Sequence, residues 1–441
     1  MKLLKVIIIF LILTHCSFDN KSGIWQDEDT NINKNSVIFK DFKNVNIIKK
    51  SFKKIIPIKK DFKFKKNTSY KNYDWHDIYF SQSNNLKNFA YDESFNLISK
   101  SRKLTKYKID NYFLVKNNNA IITDQKGNII IFSIDKNKII YKFNFYKKKY
   151  KKTQKKLNII VNNNLLYVSD NLGYLYVLDL EKNKILWAKK YEIGFRSNIK
   201  IYKNKLATSN INNKLFYINK NNGQVLTILP TEETLIKNDF KNNLSLNDNL
   251  LFFINTFGTL YAINNDNMKI LWFINLNQSL NLDPSNIFNG NQIVNYKDKL
   301  VVSTNEFTYI IDQKNGSTLH KKNFSSGLRP IILNDNLFII TRNNFLISLN
   351  INTGQIIYSY DLSLKTAKFL DNQKKKFYVK NFMFLNGKIV VFFENSYISI
   401  LNIYGEVEQM RRLPSKINSF PIIINRSLLY LDERKKLSVF D

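Results

Sequence analysis

From about residue 110 to the end, short apolar runs and Asn-rich turns alternate in one recurring order. An alternating strand ends in Asp or Asn. A tight turn follows, often holding Gly. A second apolar strand comes next, often closed by an aromatic. Gly173-Tyr174-Leu175-Tyr176-Val177-Leu178-Asp179 with Lys184-Ile185-Leu186-Trp187 is one clear copy, and Gly258-Thr259-Leu260-Tyr261-Ala262-Ile263-Asn264 with Lys269-Ile270-Leu271-Trp272 is another. The terminal Asp or Asn marks the phase: Asp135, Asp179, Asn219, Asn264, Asp312, Asn350, Asn402 and Asp441, at a mean spacing of about 44 residues. Each copy is preceded by further apolar runs, such as Leu337-Phe338-Ile339-Ile340 behind Ile331-Ile332. Runs this short with period two are strands, and four per repeat make a propeller blade. A helical solenoid would need runs of ten or more residues at 3.6 spacing, which the sequence does not contain. The expected fold is all-β: an eight-bladed β-propeller of four-stranded antiparallel blades, with seven blades as the alternative count.

The last copy stops at Asp441, where the third strand of a blade ends. Its outer strand must come from elsewhere, because an open blade leaves an unpaired edge. Asn96-Leu97-Ile98-Ser99-Lys100 lies at the right distance ahead of the first blade and is expected to close the ring. Trp187, Trp272 and their aromatic equivalents are expected to pack between blades.

Composition adjusts this picture in two ways. Gly numbers only 12 and Pro 6, so Asn must supply many turn positions, which it does by tolerating left-handed backbone. The net charge is +33. Attraction to anionic partners is one explanation. Compositional drift is the other, and it accounts for the joint enrichment of Lys, Asn, Ile, Phe and Tyr. The lysines are spread along the chain without a nucleic-acid-binding signature, so no nucleic acid is expected as a partner.

The N-terminus reads as an address. Lys2 and Lys5 precede Val6-Ile7-Ile8-Ile9-Phe10-Leu11-Ile12-Leu13, too short to cross a bilayer as a helix and typical of a signal peptide. It ends in Leu13-Thr14-His15-Cys16, which resembles the bacterial lipobox, although His15 stands where a small residue is usual. Cys16, the only cysteine, is the expected lipidation site, and no disulfide is left to form. Ser17 follows where an Asp would favour inner-membrane retention. The expected division is 1–15 signal peptide, 16–70 lipidated basic tether, and 71–441 β-propeller. Short runs such as Ile55-Ile56 could dock.

The Gly-x-Leu-Tyr-x-Leu-Asp and Gly-x-x-Leu-Trp elements resemble the tryptophan-docking repeats of quinoprotein-like propellers over roughly 95–441. Two branches of that superfamily matter: quinone-dependent alcohol dehydrogenases, and the BamB lipoproteins of the outer-membrane β-barrel assembly machinery. The dehydrogenase branch implies a quinone held over a Trp floor by a vicinal Cys pair, with Ca²⁺ and an Asp base. This chain has no Cys pair and no haem site, and after the signal only His76 and His320, far apart. Neither P-loop nor nucleophile elbow occurs. No catalytic residue, cofactor or metal is therefore expected. The BamB branch implies a non-enzymatic scaffold at the periplasmic face of the outer membrane, anchored by lipid. It would bind the central assembly subunit, with unfolded outer-membrane proteins as a candidate further partner, through loops on one propeller face. It further implies partner contacts in the connection after the second repeat, here Ile193, Phe195 and Arg196, and an acidic contact for which Asp239 is nearest. An exposed aromatic beside an Arg would suit an interface anchor. Phe195 as core and Arg196 as a solvated charge is the competing assignment. A ligand-binding propeller enzyme and a surface binder of polyanions are the alternatives in function.

Overall fold

Each repeat folds as a four-stranded antiparallel meander, and eight of them make a ring. The computed structural model describes residues 16–18, 25–27, 52–146, 150–233, 241–277, 288–370 and 377–441. The chain divides into two units, Met1–Lys50 and Ser51–Asp441. In the first, Cys16–Phe18 pairs antiparallel with Trp25–Asp27. The second holds the ring. The expected lipidation site thus lies in a strand, while residues 1–15 fall outside the described residues.

Blades 1 to 7 follow the chain. Their first strands are Leu114–Lys116, Leu157–Asn162, Lys200–Tyr202, Asn243–Asn247, Val294–Tyr296, Ile331–Leu333 and Val379–Leu385. Their outer strands are Lys138–Asn144, Lys184–Lys190, Val225–Leu229, Lys269–Asn275, Thr318–Lys322, Ile356–Asp361 and Val407–Arg412. Blade 8 takes Ile422–Ile424, Ser427–Leu431 and Leu437–Phe440 from the C-terminus and Leu97–Lys100 from the N-terminal side. Val439 pairs with Ser99, and the Asp441 N–H donates to the Asn96 carbonyl at 3.1 Å. The closing strand is the one expected from the phase of the repeats.

Middle strands are buried along almost their whole length, as in Asn128–Ser133 and, up to its last residue, Phe345–Asn350, because they are covered by neighbouring blades on both faces. Outer strands alternate, as in Lys269–Asn275, where every second residue is exposed. The phase-marking Asp and Asn have a local cause. In the six markers from Asp179 to Asn402 a carboxylate or amide oxygen accepts from backbone N–H groups two to four residues on: Asp179 from Glu181 and Lys182 at 2.9 Å, Asp312 from Lys314 at 2.8 Å, and Asn402 from Tyr404 at 3.0 Å, while in the first blade Ser133, two residues before Asp135, takes this place. They cap the turn between the third and fourth strands.

Aromatics of the outer strands dock on that turn in the next blade. Trp187 lies over Gly223 and donates to the Lys220 carbonyl at 3.1 Å. Trp272 does the same with Gly316 and Gln313, at 3.0 Å. His320 takes the position over Gly354, with Nε2 2.9 Å from the Asn352 carbonyl. Tyr358 reaches the Ile403 carbonyl at 3.0 Å. The one helix among the described residues, Leu362–Phe369, follows blade 6 and is capped by Asp361.

The chain ahead of the ring is ordered against it from residue 52. Ile56 exchanges backbone hydrogen bonds with Ser359 on the outer strand of blade 6, at 3.0 and 2.9 Å. Phe52 packs edge-on to Phe324 and Phe345, and Phe64 to Tyr358 and Tyr404. Residues 52–66, expected within the tether, are a strap on blade 6.

Candidate functional site

The two faces of the ring differ. One carries the turns between first and second strands, and residues 72–89 fill the channel behind it. The Asn72 amide donates to the Ile423 carbonyl in blade 8. Trp75 exchanges backbone bonds with Val115 in blade 1, and the His76 carbonyl accepts from Val161 in blade 2. The Gln82 and Ser83 carbonyls accept from Leu246 and Asn295 in blades 4 and 5. Asn85 bonds both backbone groups of Ile332 in blade 6, and Asn88–Phe89 adds a parallel strand to blade 7. Blade 3 supplies Lys200, whose ammonium bonds Asp77 at 2.7 Å, the Ser81 carbonyl at 2.8 Å and Asn84 at 2.7 Å. Lys200 is 1% exposed in its side chain, so this ion pair is a buried anchor. Burial draws the Lys200 ammonium below the usual lysine range, and Asp77 opposes that shift. The side chain of Asn84, with no exposed surface, donates to the Leu244 and Ile293 carbonyls at 2.9 and 2.8 Å.

The other face carries the connections between blades, and among the described residues its centre is concave. Two adjoining cavities of about 190 and 250 Å³ share Asn111, Tyr112 and Lys241. Their floor is Ile78 and Tyr79 of the plug. Behind the floor lies Arg329, whose Nη1 donates to the carbonyls of Tyr79 at 2.6 Å and Asn84 at 3.2 Å, with its guanidinium 4.9 Å from the Phe420 ring. Desolvation pushes the Arg329 guanidinium down to about 10, still charged at neutral pH. Among the described residues no group of His, Cys, Asp and Glu is placed to hold a metal ion.

The connection from blade 2 to blade 3 lies on this open face. Gly194 is required there, since a Cβ would sit 2.2 Å from the Asn171 carbonyl oxygen. The Phe195 N–H donates to the Asp170 carbonyl and the Arg196 N–H to the Ser209 carbonyl. Phe195 is 2% exposed and packs edge-on to Tyr191 and Phe216 in the seam between blades 2 and 3. It is therefore an inside residue that fixes the loop, and not the surface aromatic considered from sequence. Glu192 is exposed, and Ile193 and Arg196 are partly so. The Arg196 Nη2 donates to the Ile211 carbonyl at 3.2 Å. Asp239 lies outside the described residues.

The plug was not foreseen from sequence. Its signals were local and unrepeated: Trp75, and an Asn84-Asn85 pair whose amides satisfy inner-strand backbone.

A family model described as outer membrane protein assembly factor BamB matches residues 218–437. No curated protein matches the chain significantly. Among solved structures, BamB from Moraxella catarrhalis is similar at a TM-score of 0.62 and 14% identity, over 78% of this chain and 99% of that one. A computationally designed protein, Ika8, gives 0.58 and 11%, over 77% and 99%. A europium-containing methanol dehydrogenase gives 0.61 and 12%, over 83% and 89%. At these identities the structural likeness establishes the ring alone. With the matching family model and the degenerate Gly and Trp repeats, the chain is a BamB-like eight-bladed propeller of the PQQ-repeat type.

Proposed function

We propose that the protein is a non-enzymatic scaffold lipoprotein of the outer-membrane β-barrel assembly machinery, held at the periplasmic face by lipid on Cys16. It binds the central assembly subunit through connections on the open face. Unfolded outer-membrane proteins are then passing clients of the complex, not ligands of a pocket. The observation that carries this reading is the filled channel. Trp75, Asn84 and Lys200 occupy the axis with partners of their own, so the ring offers rigid loops around a shallow mouth. The family-model match supports the same assignment. No helix of the described residues is long and apolar enough to cross a membrane, which fits attachment by an anchor.

Within the loop, Ile193 and Arg196 are the contact residues, Phe195 holds their geometry, and Asp239 is a further contact. A photoreactive residue at Ile193, with Lys182 on the opposite face as control, tests this in cells. Capture of the central subunit from Ile193 and not from Lys182 is expected. Fatty-acid labelling should disappear in Cys16→Ser. Failure to capture that subunit, with labelling intact in the parent, would remove the site assignment.

The likeness to a methanol dehydrogenase favours one second reading, a quinone-binding enzyme. It requires a spectral change on adding quinone with Ca²⁺, and the filled axis argues against it.

A further inference from the structure

Among the described residues that line it, the mouth of the open face carries more lysines than carboxylates. Lys108, Lys156 and Lys241 line it, against Asp110. The Asp110 carboxylate is held above its usual range by burial, and one of its oxygens accepts from Thr123 at 2.6 Å. Beneath the floor, Arg329 is 7% exposed, its bonded nitrogen serves two carbonyls, and its Nη2 has no hydrogen-bond partner. Asn111, Asn158 and Gln292 add amides around the rim. These three lysines are exposed like the many on the outer strands, but they line one concave site, where low-dielectric walls strengthen their field. Desolvation draws the Lys241 ammonium down and Asp110 draws it up, so an added counter-anion would stabilise its charged form.

We propose that this mouth binds a small polyanion, a compound bearing two or more carboxylate or phosphate groups. The three ammonium groups supply point charges, which suit either oxyanion. The amides and Tyr112 orient the ligand against the Tyr79 floor. The site shares the open face with the proposed partner contacts, and Lys241 follows Asp239 by two residues, but its ligand would sit at the ring axis and its binding is read on the isolated chain, without the partner.

The test is calorimetric titration of the full mature chain with citrate and, separately, pyrophosphate, at fixed ionic strength near 150 mM. Saturable one-site binding of at least one probe is expected. Replacing Lys108, Lys156 and Lys241 together by Gln should weaken it at least about tenfold. Replacing Lys182, Lys184 and Lys189, exposed lysines of blade 2, should leave it unchanged. Where the triple mouth variant melts early, Lys241→Gln alone serves, with a smaller loss. Preference for citrate identifies a carboxylate ligand, and preference for pyrophosphate a phosphate one. The proposal is overturned if neither probe saturates, or if both triple variants lose affinity equally, since that marks general attraction to a chain of charge +33.

Discussion

Gly316 and Gly387 separate two costs that are usually confounded. Both sit at positive φ, 74° and 80°. A Cβ at Gly316 would lie 2.7 Å from the Trp272 ring, whereas at Gly387 it would meet nothing within 4 Å. Gly387→Ala should therefore cost only the left-handed penalty, about 1–2 kcal/mol. Gly316→Ala should cost about 2 kcal/mol more, because the docked indole must shift and strain its bond to Gln313. Equal losses in urea unfolding would show that the docked indole adds no stability. The docking role of Trp187 and Trp272 was legible in sequence, because Gly and Trp recur at fixed phase. That His320 fills the same seat was not, since a lone His carries no sign of the surface it covers. Phe195 was harder still. A residue beside Gly and Arg in a connection looks exposed, yet this connection turns back into the seam between blades.

At the scale of elements, the closing strand and the plug make opposite lessons. The strand 97–100 could be read from the sequence because a repeat that stops short defines what is missing. It can be locked in place: in a Cys16→Ser background, Ser99→Cys with Val439→Cys joins directly paired positions. A disulfide should form without reshuffling the fold and raise stability by about 4 kcal/mol, lost again on reduction. A thiol pair that stays free in the oxidised protein would place that strand elsewhere. The plug carries no repeat, and polar side chains rather than an apolar stripe bind it, so periodicity is blind to it. Asn84→Ala would remove the amide donor to the Ile293 carbonyl, one of the two amide donors to the Leu244 carbonyl, and one of the three acceptors of the Lys200 ammonium. A loss of about 3 kcal/mol is expected in chemical unfolding. A loss below 1 kcal/mol would mean that the plug is only loosely held.

For the whole molecule, the plug touches the blades in the order in which they follow around the ring: Asn72 on blade 8, Trp75 on blade 1, Asp77 on blades 2 and 3, then Gln82, Ser83, Asn85 and Asn88 on blades 4 to 7. Repeats of this kind interact mainly with their neighbours, so nearest-neighbour energies say little about how many should close a circle. A single inner segment that must satisfy every blade at once does say it. The plug is a gauge. A copy of the chain with one repeat deleted or duplicated would keep every seam intact and yet leave a plug group without its blade, or a blade without its plug group. Repeat number in this lineage is thereby tied to the length of eighteen residues that lie outside the repeats altogether.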